Sequence, residues 1–202
     1  YGLSEHAPRY RAEDLFPDEV DLDVEDLARI FESYVAKALA LRDRHAGRIE
    51  LLVGFETEVL PPQGWPEQML ELRRRHREFD YMVGSVHHVG GASIDMHPTR
   101  TAKVAEEVGG RSTLDRLYFD LVAEMVEQLR PEIVGHFDLI RKFDGVAASF
   151  GPGTWKHVER ALEVIQAVGA ILDVNAAPAR RKLGPVYPLP PLLERACEMG
   201  IP

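Results

Sequence analysis

Where an apolar run ends at Val134 and Gly135, the chain places His136, Asp138, Arg141 and Lys142 in quick succession. The same design recurs elsewhere. Ile49 to Gly54 runs into Phe55, Glu56, Thr57 and Glu58, Tyr81 to Val86 runs into His87 and His88, and Ala170 to Val174 runs into Asn175. Each apolar run reads as a short buried strand, and polar residues just past such strands are where open or barrel α/β folds keep their sites. Glu56, His87, His136 and Asn175 are therefore expected on one rim. With His6, which follows the apparent strand tail at Leu3, the residues His6, Glu56, His87 and His136 make a mixed imidazole and carboxylate set of the kind that suits zinc, iron or manganese. Basic residues follow the same strands, Arg141 and Lys142 after His136 and Arg180, Arg181 and Lys182 after Asn175. The planar fork of arginine suits a pair of phosphate oxygens. Metal ligands and arginines together suit hydrolysis of a phosphate ester, in which a metal lowers the pKa of a bound water and neutralises phosphoryl charge, so that no serine or cysteine nucleophile is needed. No Gly-x-Ser-x-Gly elbow, Walker loop or Rossmann glycine pattern is present, which leaves acyl transfer, nucleotide triphosphate hydrolysis and dinucleotide redox chemistry without support.

These residues have to be positioned by the rest of the chain, and 202 residues suffice for one domain, 1–202, with a substantial core. A net charge of -9 argues against general nucleic-acid binding, which needs a basic face. The single cysteine, Cys197, excludes an intramolecular disulfide, suits a reducing cytoplasm, and reads as a small buried residue of a helix. No apolar run approaches the roughly 20 residues of a membrane span.

Strand and helix alternate along the chain. Asp23, with Asp26 as reciprocal partner, caps a helix on which Leu27, Ile30, Phe31, Tyr34, Val35, Ala38 and Leu41 recur at helical spacing, with Gly47 as a stop. A shorter helix through Met69 and Leu72 carries Arg73, Arg74, Arg75 and Arg77 as a solvated face. A glycine-rich loop holds Asp95 and His97. Ser112 and Asp115 are read as a capping box before a helix ending at Pro131, and Thr154 as the cap of a helix from Trp155 to Val168. A last helix runs from Pro190 to Met199. His45, His76 and His157 are read as helix-surface residues. This rhythm implies parallel strands joined by right-handed crossovers, in an open sheet or a closed barrel.

The strings Gly2 to Pro8, Gly54 to Glu58, Asp80 to Val89, Gly135 to Phe143 and Asp173 to Asn175, in this order and spacing, resemble the histidinol-phosphate phosphatases of the polymerase and histidinol phosphatase (PHP) family. The resemblance implies a distorted seven-stranded β/α barrel. It also implies a cluster of up to three divalent metals and hydrolysis of L-histidinol phosphate to L-histidinol in histidine biosynthesis. By motif, His6 matches the histidine after the second strand, Glu56 the bridging carboxylate, and His87 and His136 the later histidine ligands, so that Glu56, His87 and His136 act through the metals. Arg141 and one of Arg180 or Arg181 match positions that hold substrate phosphate, while His88 and Asp95 are matched to the amino or imidazole end of the substrate. The family's opening His-x-His and closing Asp-x-His are absent. The chain is thus expected to cover the central part of the barrel, truncated at both ends, and to bind metal weakly by itself. Other phosphoesterases or exonucleases of the superfamily, and a catalytically silent metal-binding domain, are the alternatives.

Overall fold

The computed structural model describes residues 1–16, 19, 21–144, 149–181, 184 and 186–202. They form two compact units, residues 1–83 and 84–202.

In the first unit, β1 (Gly2–His6), α1 (Val24–His45), β2 (Leu52–Glu56), α2 (Trp65–Arg75) and β3 (Tyr81–Gly84, whose final glycine falls in the second unit) follow one another. The strands lie side by side in that order and run parallel, with His6 opposite Glu56 and Glu56 opposite Val83. Two ligand candidates are therefore strand-end neighbours by register. Helix α1 forms as the spacing predicts. Asp23 accepts from the Asp26 backbone at 2.7 Å while Asp26 accepts from Asp23 at 3.1 Å, which satisfies amide hydrogens that a helix start otherwise leaves unpaired. Leu27, Phe31, Val35 and Ala38 are buried. From the same helix the Tyr34 hydroxyl reaches the carbonyl oxygens of Leu3 at 2.8 Å and Gly54 at 2.6 Å, tying it to β1 and β2.

The strand expected from Ile49 begins instead at Leu52, and Glu56 is its last residue rather than a residue beyond it. The β3 strand stops at Gly84, short of Val86. His76 is not a helix-surface residue: it is 7% exposed, its Nε2 lies 3.2 Å from Glu32, and its ring sits 5.8 Å from Phe31 and 5.2 Å from Phe79. Helix periodicity misses this because α2 ends at Arg75 and the chain turns inward.

Gly54 in β2 packs so closely that a Cβ there would stand 2.4 Å from the Tyr81 carbonyl oxygen and 2.9 Å from its ring. A backbone atom in a strand cannot step aside as a side chain can. Gly54→Ala is therefore expected to cost about 1–3 kcal/mol of stability, the range for overpacking a tight interior, as a lowered midpoint in urea unfolding; an unchanged midpoint would contradict the close fit.

The second unit holds β4 (His88–Val89), β5 (Ala92–Ser93), α3 (Pro98–Glu107), α4 (Arg111–Leu129), β6 (Ile133–Val134), α5 (Pro152–Val168), β7 (Ile171–Leu172), α6 (Ala177–Arg180) and α7 (Pro190–Glu198). β6 and β7 pair in parallel, β4 and β5 as a short antiparallel hairpin. Tyr118, Phe119, Met125, Leu162 and Ile165 are fully buried, and Phe119 stacks at 5.3 Å on Phe137, which fixes the segment after His136.

The glycine-rich loop is more structured than its composition suggests, for it contains the β4–β5 hairpin and leads into α3, which His97 caps through Nδ1. The capping box at Ser112 does not form. Gly110 is the cap of α4, and Asp115 instead binds the Arg111 Nε at 2.7 Å. Likewise Thr154 lies inside α5, which starts at Pro152 behind Gly151. Cys197 is exposed rather than buried, because α7 buries Leu192 and Ala196. The strand expected over Ala170 to Val174 is confined to Ile171 and Leu172, with Val174 59% exposed.

The architecture is α/β with mostly parallel strands, as expected. A seven-stranded barrel is not closed among the described residues, since closure requires every strand to be paired on both sides and β1 pairs only with β2. No described helix is long and apolar enough to cross a membrane.

Candidate metal centre

In the first unit, register brings His6 and Glu56 together. Their candidate ligand atoms, His6 Nε2 and Glu56 Oε2, are 3.9 Å apart, within reach of a common ion. The other face of the same imidazole is held differently. His6 Nδ1 lies 2.9 Å from Glu58 Oε1, and that oxygen lies 3.5 Å from Arg9 Nη1. The side chains of Glu58 and Arg9 are 2% and 3% exposed, whereas that of His6 is 43% exposed. Arg9 also donates to the Ala7 carbonyl at 2.8 Å and lies 3.9 Å over the Phe16 ring. The imidazole thus stands between an accessible carboxylate and a buried one. Glu58 and Arg9 carry no signal of this contact in the sequence, because the register that sets Glu58 against His6 is a property of the folded strands.

In the second unit, Gly135 donates to the Gly84 carbonyl at 3.0 Å, which places the end of β6 beside the end of β3. The next residue, His136, has φ 27°, a left-handed conformation uncommon outside glycine. It brings the ring to His87, with Nε2 atoms 3.2 Å apart and ring centroids 4.9 Å apart. Two bare nitrogens at this distance repel, so a hydrogen on one of them or a cation must lie between. Two nitrogens on one tetrahedral zinc stand about 3.3–3.4 Å apart, given Zn–N bonds of about 2.0–2.1 Å. The donors present, imidazole nitrogens and a carboxylate, fit a divalent transition metal.

The loops that carry these histidines touch a second time. Ile94 donates to the His87 carbonyl at 3.0 Å, which closes the base of the hairpin with Asp95 just beyond it, and Lys142, shortly after His136, meets Asp95 at 3.2 Å. Asp95 also accepts from the Ser93 hydroxyl at 3.2 Å. His88 is buried in β4, 4% exposed.

Arg141 is far less accessible than its place in a basic cluster suggests. It is 2% exposed, its Nε binds Asp138 at 2.6 Å, its Nη2 binds the Val186 carbonyl, and the guanidinium lies 4.3 Å over the Tyr187 ring. Asp138 is 0% exposed and also accepts from the Leu189 backbone at 3.0 Å. Burial pushes the Asp138 carboxyl above the usual carboxylate range, against the pull of Arg141. Burial likewise raises the Tyr187 hydroxyl to about 12. Asn175 does not end a strand; it bridges to Tyr187, and its side chain accepts from Ala177 at 2.9 Å. Arg180 and Arg181 are exposed, and Lys182 lies outside the described residues.

The sequence pattern of the PHP domain matches residues 1–177. A Schizosaccharomyces pombe protein named "Probable histidinol-phosphatase" is 33% identical over 205 residues, covering 99% of this chain and 66% of its own length. A Deinococcus radiodurans protein of the same name is 32% identical over 170 residues, covering 84% of this chain and 61% of its own length. This chain therefore spans less than two thirds of these relatives. The crystal structure of Listeria monocytogenes hisK is similar in fold, with a TM-score of 0.81 at 22% identity, covering 100% of this chain and 80% of that one. With the match running over most of its length, the chain belongs to the PHP domain family.

Proposed function

We propose that this protein is a metal-dependent phosphomonoesterase that converts L-histidinol phosphate to L-histidinol and phosphate. The observation that carries the reading is the pair of donor sets at strand ends, His6 with Glu56 and His87 with His136, in a chain of the PHP domain family. In this reading His6, Glu56, His87 and His136 hold a cluster of divalent ions, zinc, iron or manganese, and Glu56, His87 and His136 act through it. When bound, the ions supply a water of lowered pKa and positive charge for the phosphoryl oxygens. The fold that goes with it is the PHP-type barrel, to which the described parallel strands contribute as one domain, and the setting inferred is the cytoplasm. The names of the relatives support the substrate.

The chain's own groups handle the rest of the substrate. Arg180 or Arg181, exposed beyond β7, is assigned to the phosphate together with Arg141, which is held rigid by Asp138 and Val186. His88 and Asp95 are assigned to the amino and imidazole end. Because Lys142 already pairs with Asp95 at 3.2 Å, an incoming ammonium has to compete with it.

The test is phosphate release, with metal added, from L-histidinol phosphate, a nitrophenyl phosphate and a short oligonucleotide. The reading expects histidinol phosphate to be preferred and the oligonucleotide to be left intact, in line with the net charge of -9. Preference for the oligonucleotide would favour an exonuclease, and metal binding without turnover of any substrate a silent metal-binding domain.

A further inference from the structure

We infer that Glu58, backed by Arg9, is a positioning residue that fixes the tautomer of His6 and so presents Nε2 as a metal ligand. An ionised carboxylate can only accept a hydrogen bond. With Arg9 as its buried counter-ion at 3.5 Å, Glu58 is set as that acceptor, and the His6 Nδ1 at 2.9 Å must carry the hydrogen. A neutral imidazole with its hydrogen on Nδ1 has its lone pair on Nε2, the atom on the Glu56 side.

The two carboxylates therefore divide the work by burial. The Glu56 side chain is 19% exposed and open to an ion and its water, whereas that of Glu58 is 2% exposed and spends its oxygen on the imidazole. Register supports the arrangement: His6 pairs with Glu56 across β1 and β2, and Thr57 donates to the Val83 carbonyl at 2.8 Å, which holds the backbone that carries Glu58. The orienting role also explains a cost that needs an explanation. Burying the Arg9 and Glu58 charges is expensive, and a pair of apolar residues would fill the space without that penalty.

The inference rests on the reading of His6 as a ligand, and the test separates the two. Glu58 alone cannot be removed cleanly, because the buried Arg9 would be left with only the more distant and more exposed Glu19, 3.9 Å from its Nε, as a carboxylate partner, so Glu58 and Arg9 are changed together in the 202-residue chain. Arg9→Met with Glu58→Gln keeps an oxygen acceptor for Nδ1–H, whereas Arg9→Met with Glu58→Leu removes it. One readout is the long-range proton–nitrogen spectrum of the His6 ring in the metal-free protein, assigned with His6→Ala. The other is zinc affinity, measured by competition with a chromogenic chelator.

The wild-type chain and the glutamine double variant are expected to show hydrogen on Nδ1. The leucine double variant should lose that fixed tautomer and bind zinc about 10–100-fold more weakly than the glutamine variant, the usual effect of removing a histidine ligand's outer partner. Hydrogen on Nε2 in the wild-type chain, or equal zinc affinity in the two double variants, would overturn the inference. Wild-type zinc affinity in His6→Ala would instead overturn the ligand reading on which it depends. Should the leucine variant fail to fold, the His6 tautomer in the wild-type chain decides by itself.

Discussion

Glu56→Ala and His136→Ala are each expected to lower bound divalent metal and phosphate release together. Removing a ligand deletes a donor and, at Glu56, a negative charge that offsets the ion's own. Even partners one step removed from a metal are worth about 10–100-fold in affinity or activity, so loss of a direct ligand should cost at least that much in both readouts. The effect on folding should be small by comparison, because the Glu56 side chain is partly exposed. His136 differs in one respect: its left-handed backbone strains alanine as well, so the variant gains no stability from losing the ring. Metal per chain by elemental analysis is the measurement, and unchanged content in both variants would remove the ligand assignment.

The second large effect is expected at Arg141. Arg141→Ala leaves Asp138 without its cation at 0% exposure, and breaking a buried pair by deleting one partner costs about 3–5 kcal/mol. It also releases the Val186 carbonyl and the face of Tyr187, loosening the segment that leads into α7. Changing both partners, Arg141→Met with Asp138→Leu, should recover part of the loss, since no charge is then stranded. If Arg141 also touches substrate phosphate, the double variant will be folded, will retain metal, and will still release phosphate slowly. Denaturant unfolding of the single and double variants checks the first claim. A single variant as stable as the wild-type chain would show that the Arg141–Asp138 contact contributes nothing.

How far the sequence carried these conclusions depended on whether a signal was local. The Asp23 and Asp26 box was legible because both partners lie within one turn, and α1 because its apolar residues recur on one face. Ser112 and Thr154 do not cap their helices, because glycines just upstream start those helices without a side-chain cap. Helix α3 is hidden by Gly90 and Gly91 shortly before it, although His97, Pro98 and Thr101 make a serviceable start. Strand ends bearing Glu56, His87 and His136 could be placed to within a few residues. What each end faces could not be read, because register and backbone turn decide it. His6 opposite Glu56 is a matter of register. The ring of His136 reaches His87 through a φ that no residue pattern announces. In sequence Arg141 reads as a phosphate-binding cation beside Lys142; its burial depends on Val186 and Tyr187, which are remote in sequence.

The proposed metal-dependent hydrolysis of a phosphomonoester is decided by phosphate release from L-histidinol phosphate after the protein has been stripped with a chelator and titrated with zinc or manganese. Release is expected to be absent from the stripped protein and to rise with added metal until the sites are filled. Release from the stripped protein equal to that of the metal-loaded protein would contradict it.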